Sequence, residues 1–163
     1  MNKLSVLQNV KTVFTHPYPH ICIDEALPQS VYDELDSTFP EELICSTTPH
    51  DGGICYRYKA KECAQEAPPA IWQDFFAYHT SQEYFQECAR LFEPHIVEAY
   101  GDEFMHDMLT KDVSVRDVDT GGHYVADCQF VVHEPVDSSG TSRTPHVDNP
   151  VEIYAGLLYM RPR

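Results

Sequence analysis

The hydrophobic period of the chain changes near residue 112, and that change limits the fold more than any other feature. Before it, apolar side chains recur every three to four residues, the repeat of a helix with one buried face. Val31, Leu35 and Phe39 form one such stripe, opened by Leu27-Pro28 and ended by Pro40. Proline is tolerated in a first helical turn because its missing N–H had no intrahelical partner there. Ile71, Trp72, Phe75 and Phe76 form a second stripe, and Tyr84, Phe85, Cys88, Leu91, Phe92 and Ile96 a third. Thr80 and Glu83 have the spacing of a capping box at the start of that third helix. Pro94 predicts a kink or break, and Gly101 suits the helix end. After residue 112 the period is two: Val113, Val115 and Val118, then Tyr124, Ala126 and Cys128, then Phe130 to Val132. Alternation at Ile21 and Ile23 predicts an early short strand, and Tyr56 with Tyr58 hints at another. Residues 41–69 read as irregular, with Gly52-Gly53 and Pro68-Pro69 as breakers, and Asp137 to Ser142 as a polar turn. After Pro150, residues 151–160 read as an apolar β-type run. The expected class is α+β, with an antiparallel sheet layer in the last third.

A chain of 163 residues suits one domain, read as 1–163 with a helical part over about 17–110 and a strand-rich part over about 111–163. Eleven Lys plus Arg against 26 Asp plus Glu give a net charge of −15, which argues against nucleic acid and anionic membrane surfaces as partners. A hydrophobic content of 42% argues against an acidic disordered tail. No apolar run reaches the ~18 residues of a membrane span, and no signal peptide is recognised in the first residues. Six cysteines without a CxxC pair are read as reduced thiols, and the expected location is cytoplasmic.

Most of the nine histidines read as solvated or core residues: His16, His20, His50, His79, His95 and His106. His123 and His133 fall in the strand region and carry more weight. His146 stands apart because of Asp148: on a strand, residues i and i+2 point to the same side, so this imidazole and carboxylate can grip one cation. Bare His-x-Asp spacing means little, since chance supplies roughly 0.7 such pairs in a chain of this composition. Its context means more: Thr144-Pro-His-Val-Asp-Asn-Pro150, followed by the aromatic run Ile153 to Tyr159.

The string His146-Val-Asp-Asn-Pro150 resembles the metal motif of the Fe(II)/2-oxoglutarate-dependent dioxygenases, in their prolyl-hydroxylase-like branch. Residues 17–28, Pro-Tyr-Pro-His-Ile-Cys-Ile-Asp-Glu-Ala-Leu-Pro before an amphipathic helix, are similar to the way many such domains begin. The resemblance implies a double-stranded β-helix (jelly roll) backed by N-terminal helices. It also implies a 2-His-1-carboxylate iron site with positions open for 2-oxoglutarate and O₂. By the same likeness His146 and Asp148 are two iron ligands and the catalytic pair. Tyr159 matches the tyrosine that hydrogen-bonds the distal carboxylate of 2-oxoglutarate. His133 falls near a position where the family often carries a co-substrate tyrosine.

The likeness departs from the family in one respect. The family's second histidine and the arginine that anchors 2-oxoglutarate come well downstream of the aspartate, whereas Arg163 is only 15 residues beyond Asp148. Arg161 and Arg163 come too early to be that arginine. The expectation is therefore a C-terminally incomplete oxygenase, a partial jelly roll with weak or absent binding of Fe(II) and 2-oxoglutarate. Missing strands would leave an open edge near 151–160, which predicts a homo-oligomer covering it. The alternative is a non-catalytic jelly-roll module that binds a partner protein through that edge. A zinc hydrolase is disfavoured because no second clustered histidine pair accompanies His146. No Gly-x-Ser-x-Gly elbow is present, and Gly121-Gly122 is too short for a phosphate loop. The substrate, protein or small molecule, is left open.

Overall fold

The computed structural model describes residues 2–49, 55–133 and 151–160. Along these residues run α1 (Gln29–Ser37), α2 (Glu41–Cys45), β1 (Cys55–Lys59), α3 (Ala60–Gln65), α4 (Ala70–His79) and α5 (Gln82–Leu91). Then come α6 (Glu93–Tyr100), α7 (Asp102–Thr110), β2 (Val113–Val115), β3 (Tyr124–Ala126) and β4 (Gln129–His133). The class is α+β, as the change of period implied.

The helices follow their apolar stripes. Val31 and Leu35 of α1 are buried, with Pro28 as the N-cap just outside the first helical residue. Phe39, beyond the helix end, packs edge-on against Trp72 and Phe130, with ring centroids 5.8 and 5.5 Å away. In α4, Trp72, Phe75 and Phe76 are buried. The start of α5 differs by one residue from the expected capping box. Ser81 is the N-cap, its hydroxyl accepting from the Tyr84 N–H at 3.2 Å, while the Thr80 hydroxyl donates back to the Phe76 carbonyl at 2.8 Å. Thr80 therefore finishes α4 and Ser81 begins α5, a division of labour that spacing does not distinguish. Pro94 breaks the helix rather than kinking it. It sits in the first turn of α6, where its ring costs no hydrogen bond, and Phe92 serves as the C-cap of α5 and the N-cap of α6. Gly101, at φ 87°, ends α6 and opens α7 directly. The helix α7 was not expected, although Phe104, Met105, Met108 and Leu109 carry the spacing, and Met105 and Met108 are buried.

The strands depart further from expectation. The early alternation is real, with Ile21 and Ile23 half-buried and Cys22 exposed, but no strand forms there. A strand requires a ladder partner, and the pairing in this region is the single Phe14–His20 bridge. β1 and β4 pair antiparallel, with Tyr56 opposite Val132 and Tyr58 opposite Phe130. β4's partner thus comes from the middle of the chain, not from the last third. β2 and β3 pair in parallel, Val113 beside Tyr124, which corrects the expected antiparallel layer. The short return between them turns at Asp117, at φ 61°, and closes against β2 at Gly122. A Cβ on Gly122 would stand 2.4 Å from the Ser114 nitrogen, so only glycine permits that approach.

Phe130 is the junction between strands and helices, with ring centroids 4.6 Å from Trp72 and 4.8 Å from Phe76. A second cluster joins Phe85, Ala89, Ile96, Met105 and Met108 of α5, α6 and α7. Residues 151–160 form no strand. Val151 is 79% exposed and Leu157 and Tyr159 each 80%, whereas Tyr154 lies against Phe85 and Met160 touches the main core. The expected β-type run lacks a neighbouring strand among the described residues, and Val151, Leu157 and Tyr159 stay in water. Among the described residues no helix is long and apolar enough to cross a membrane.

Candidate functional site

The residues singled out from the sequence fall into two groups. His146 and Asp148 lie outside the described residues, as do the 137–142 turn, His50, Gly52-Gly53, Arg161 and Arg163. His133 is the last residue of β4, exposed and directly opposite Cys55. Tyr159 sits in the exposed, strandless stretch rather than on the strand the resemblance requires. His133 and Tyr159 thus stand on different elements.

Alternation defines what surrounds His133. Tyr58 and Phe130, paired across β1 and β4, point into the core. The opposite face of the same pair carries Cys55, Arg57, Lys59, Gln129, Val131 and His133. Val131 is 40% exposed there. In a chain of net charge −15, this face gathers two cationic side chains beside an imidazole. Lys59 also lends positive charge to Asp127, which Arg116 contacts at 3.4 Å. Burial of Asp127 nonetheless pushes its carboxyl above the ordinary range.

Sequence reasoning passed over a second polar cluster, at the seam of α4 and α5. His79 is only 9% exposed, and its Nδ1 lies 2.8 Å from the Phe75 carbonyl. A carbonyl only accepts, so Nδ1 carries the proton and Nε2 presents a lone pair, which has no hydrogen-bond partner among the described residues. Phe75 and Tyr84 flank the ring at 3.9 and 4.5 Å. Burial pushes the His79 pKa down to about 4, against the weaker upward pull of the Phe75 carbonyl and the Glu87 charge. Glu87 Oε2 accepts from Ser5 at 2.7 Å and from Tyr78 at 2.9 Å. Burial, together with Glu87, pushes Tyr78 up to about 12. Burial also raises Cys88 to about 11, and its thiol hydrogen-bonds Tyr84 and Tyr154, whose hydroxyls are raised as well.

These environments hold the imidazole, the thiol and the phenols neutral at pH 7. None is prepared as a nucleophile, and the apolar packing leaves a substrate no approach to His79. The cluster locks α4, α5 and the N-terminal segment together. Its sequence signal was His79 four residues after Phe75, on the face that α4 buries. The surface clefts are modest: one of about 350 Å³ lined by Asn9, Val10, Lys11, Asp24 and Glu25, another of about 360 Å³ lined by Leu7, Glu87, Arg90 and Leu91. Neither contains His133 or Tyr159. Among the described residues no three His, Cys, Asp or Glu side chains converge as metal ligands. No family model matches the chain, nor does any curated protein or any solved structure.

Proposed function

We propose that the chain carries the His-x-Asp half of a Fe(II)/2-oxoglutarate oxygenase site on a partial double-stranded β-helix. The observation that carries this reading is the string His146-Val-Asp-Asn-Pro150, which follows a mixed helix-and-strand chain whose last three described elements are strands. β4 leads toward that string and ends on His133.

The donor set tests how far the reading extends. A facial triad needs three protein ligands, and the two read from the motif, His146 and Asp148, lie outside the described residues. The roles assigned to this chain are binding roles: His146 and Asp148 as two ligands, with Tyr159 and His133 toward the co-substrate. A complete site of this kind uses Fe(II) and O₂ to decarboxylate 2-oxoglutarate and hydroxylate an unactivated C–H bond, a prolyl residue being one candidate. Cytoplasmic residence belongs to the same reading and is supported by the free state of the described cysteines.

Anaerobic titration with Fe(II) in the presence of 2-oxoglutarate tests it. The expected result is one weak site, lost in both His146→Ala and Asp148→Ala. Binding that survives both substitutions overturns the assignment.

A second reading is favoured by the exposure of Val151, Leu157 and Tyr159. Here the chain is a non-catalytic interaction module whose apolar 151–160 run is covered by a second copy of itself. Exposed apolar side chains mark an interaction site where they make one contiguous patch. Light scattering should show a dimer that Leu157→Asp converts to monomer; a monodisperse monomer in the unsubstituted chain counts against it.

A further inference from the structure

We propose that Cys63 and Cys128 form a dithiol modification site that closes to an intramolecular disulfide by exchange with a low-molecular-weight disulfide such as glutathione disulfide. The backbone brings these two thiols together. The Ala60 N–H donates to the Cys128 carbonyl at 3.0 Å, fastening the start of α3 to the connection between β3 and β4. Cys63 lies one helical turn further along, on the face it shares with Ala60. Both cysteines are half-buried, and both pack against the same core cluster. Their charges are close enough for an ionised Cys63 to disfavour ionisation of Cys128. The other thiols are placed differently: Cys55 and Cys88 are buried, while Cys22 and Cys45 are exposed on separate segments.

A disulfide spans Cα atoms about 4.4–6.8 Å apart. α3 has six residues and is held at its first residue by the Cys128 carbonyl, which leaves Cys63 three residues from the anchored end. The reaction is two successive exchanges. The Cys63 thiolate attacks one sulfur of glutathione disulfide, breaking its S–S bond and releasing one glutathione thiolate. The Cys128 thiolate then attacks the Cys63 sulfur of the mixed disulfide, forming the intramolecular bond and releasing the second glutathione. The chain loses two electrons and two protons, which convert one glutathione disulfide to two glutathiones. Burial raises the Cys63 thiol above its ordinary value and raises Cys128 to about 12. The exchange therefore accelerates as the pH rises through the alkaline range, where thiolate first accumulates.

The full chain is equilibrated in glutathione buffers of graded oxidation, quenched with acid, alkylated and cleaved after glutamate. Cleavage at Glu66 separates Cys63 from Cys88. The expected product is a cross-linked peptide pair joining Cys63 to Cys128, with the loss of two alkylatable thiols. Cys63→Ser removes the cross-link, and Cys128→Ser leaves glutathione attached to Cys63. The proposal is overturned if Cys63 and Cys128 stay free or carry separate glutathiones across the whole range. A cross-link that joins other cysteines instead also overturns it. Mapping the unsubstituted chain decides the matter even where a serine variant does not fold.

Discussion

Residues 70–91 and residues 151–160 are both rich in aromatic and aliphatic side chains, yet the first stretch packs into the core while most of the second stays in water. In α4 and α5, Trp72, Phe76 and Phe85 are 3%, 4% and 3% exposed, whereas Leu157 and Tyr159 are each 80% exposed. The difference lies in the backbone. A helix satisfies its own N–H and C=O groups and needs only one apolar face to dock. An extended run needs a neighbouring strand to satisfy its backbone groups, and without one it docks here only through Tyr154 and Met160. Hydrophobicity is common to both regions; what separates them is where their hydrogen bonds can go.

The largest expected effect tests the dependence of the buried region on one strand. Phe130 is 5% exposed and meets Phe39, Tyr58, Trp72 and Phe76, which makes it the fully buried link from β4 to the helical core, with Val132 packed beside it. Phe130→Ala should cost about 3–5 kcal/mol by urea denaturation, the usual range for a buried phenylalanine. A cost below 1 kcal/mol would show that the helices hold without the strand and would weaken the contrast between the regions.

The next effect is a pH dependence confined to the buried region. His79 has a folded pKa of about 4, below its ordinary value of about 6.5. Between those values the unfolded chain binds a proton that the folded chain refuses, so stability falls as the pH falls through that window. Above pH 6.5 both states are neutral and the contribution vanishes. About 2 kcal/mol should be lost between pH 7 and pH 5, and His79→Phe should flatten that part of the profile. An unchanged profile in the variant would mean that His79 is solvated.

How much was legible follows the same division. Val31 and Leu35, Trp72 to Phe76, and Phe85 to Ile96 declare their helices because the helical period is a local property of the sequence. Met105 and Met108 carried that signal too, but Gly101 reads as an end, and here it is an end and a beginning at once. The strands at Tyr56–Tyr58, Val113–Val115 and Phe130–Val132 were also readable as segments. Their partners were not, because nothing within Val113–Val115 specifies a parallel neighbour and nothing within Phe130–Val132 points back to Tyr58. The candidate site inherits this limit. His146 and Asp148 rest on a motif and lie outside the described residues, while the exposure of Tyr159 depends on a pairing that the alternating pattern could suggest but not provide. The His79 cluster was missed because its meaning comes from Tyr84 and Glu87 on the next helix.

A smaller effect sharpens the boundary at which the buried region begins. If Ser81 and not Thr80 caps α5, Ser81→Ala should cost about 1 kcal/mol and Ser81→Gly only a few tenths. Thermal unfolding of the pair separates a true N-cap from a general loss of a hydroxyl, which would penalise both alike. Equal losses would show that the Ser81 hydroxyl does not act as the N-cap of α5.

The smallest effect on folding belongs to the exposed run, and it carries the most information about the comparison. Leu157→Asp and Tyr159→Ser remove side chains that are already in water, so each should change the stability of the monomer by less than about 0.5 kcal/mol. The same substitutions should lower the association constant of a dimer that buries this run, because they introduce polarity where a second copy would supply the missing neighbour. Measuring stability and association on the same samples separates the two contributions. Loss of association with unchanged stability means that the run is surplus to the fold and answers only to a partner. A loss of 2 kcal/mol or more in the monomer would instead place these side chains among the packed ones, and the contrast with α4 and α5 would disappear.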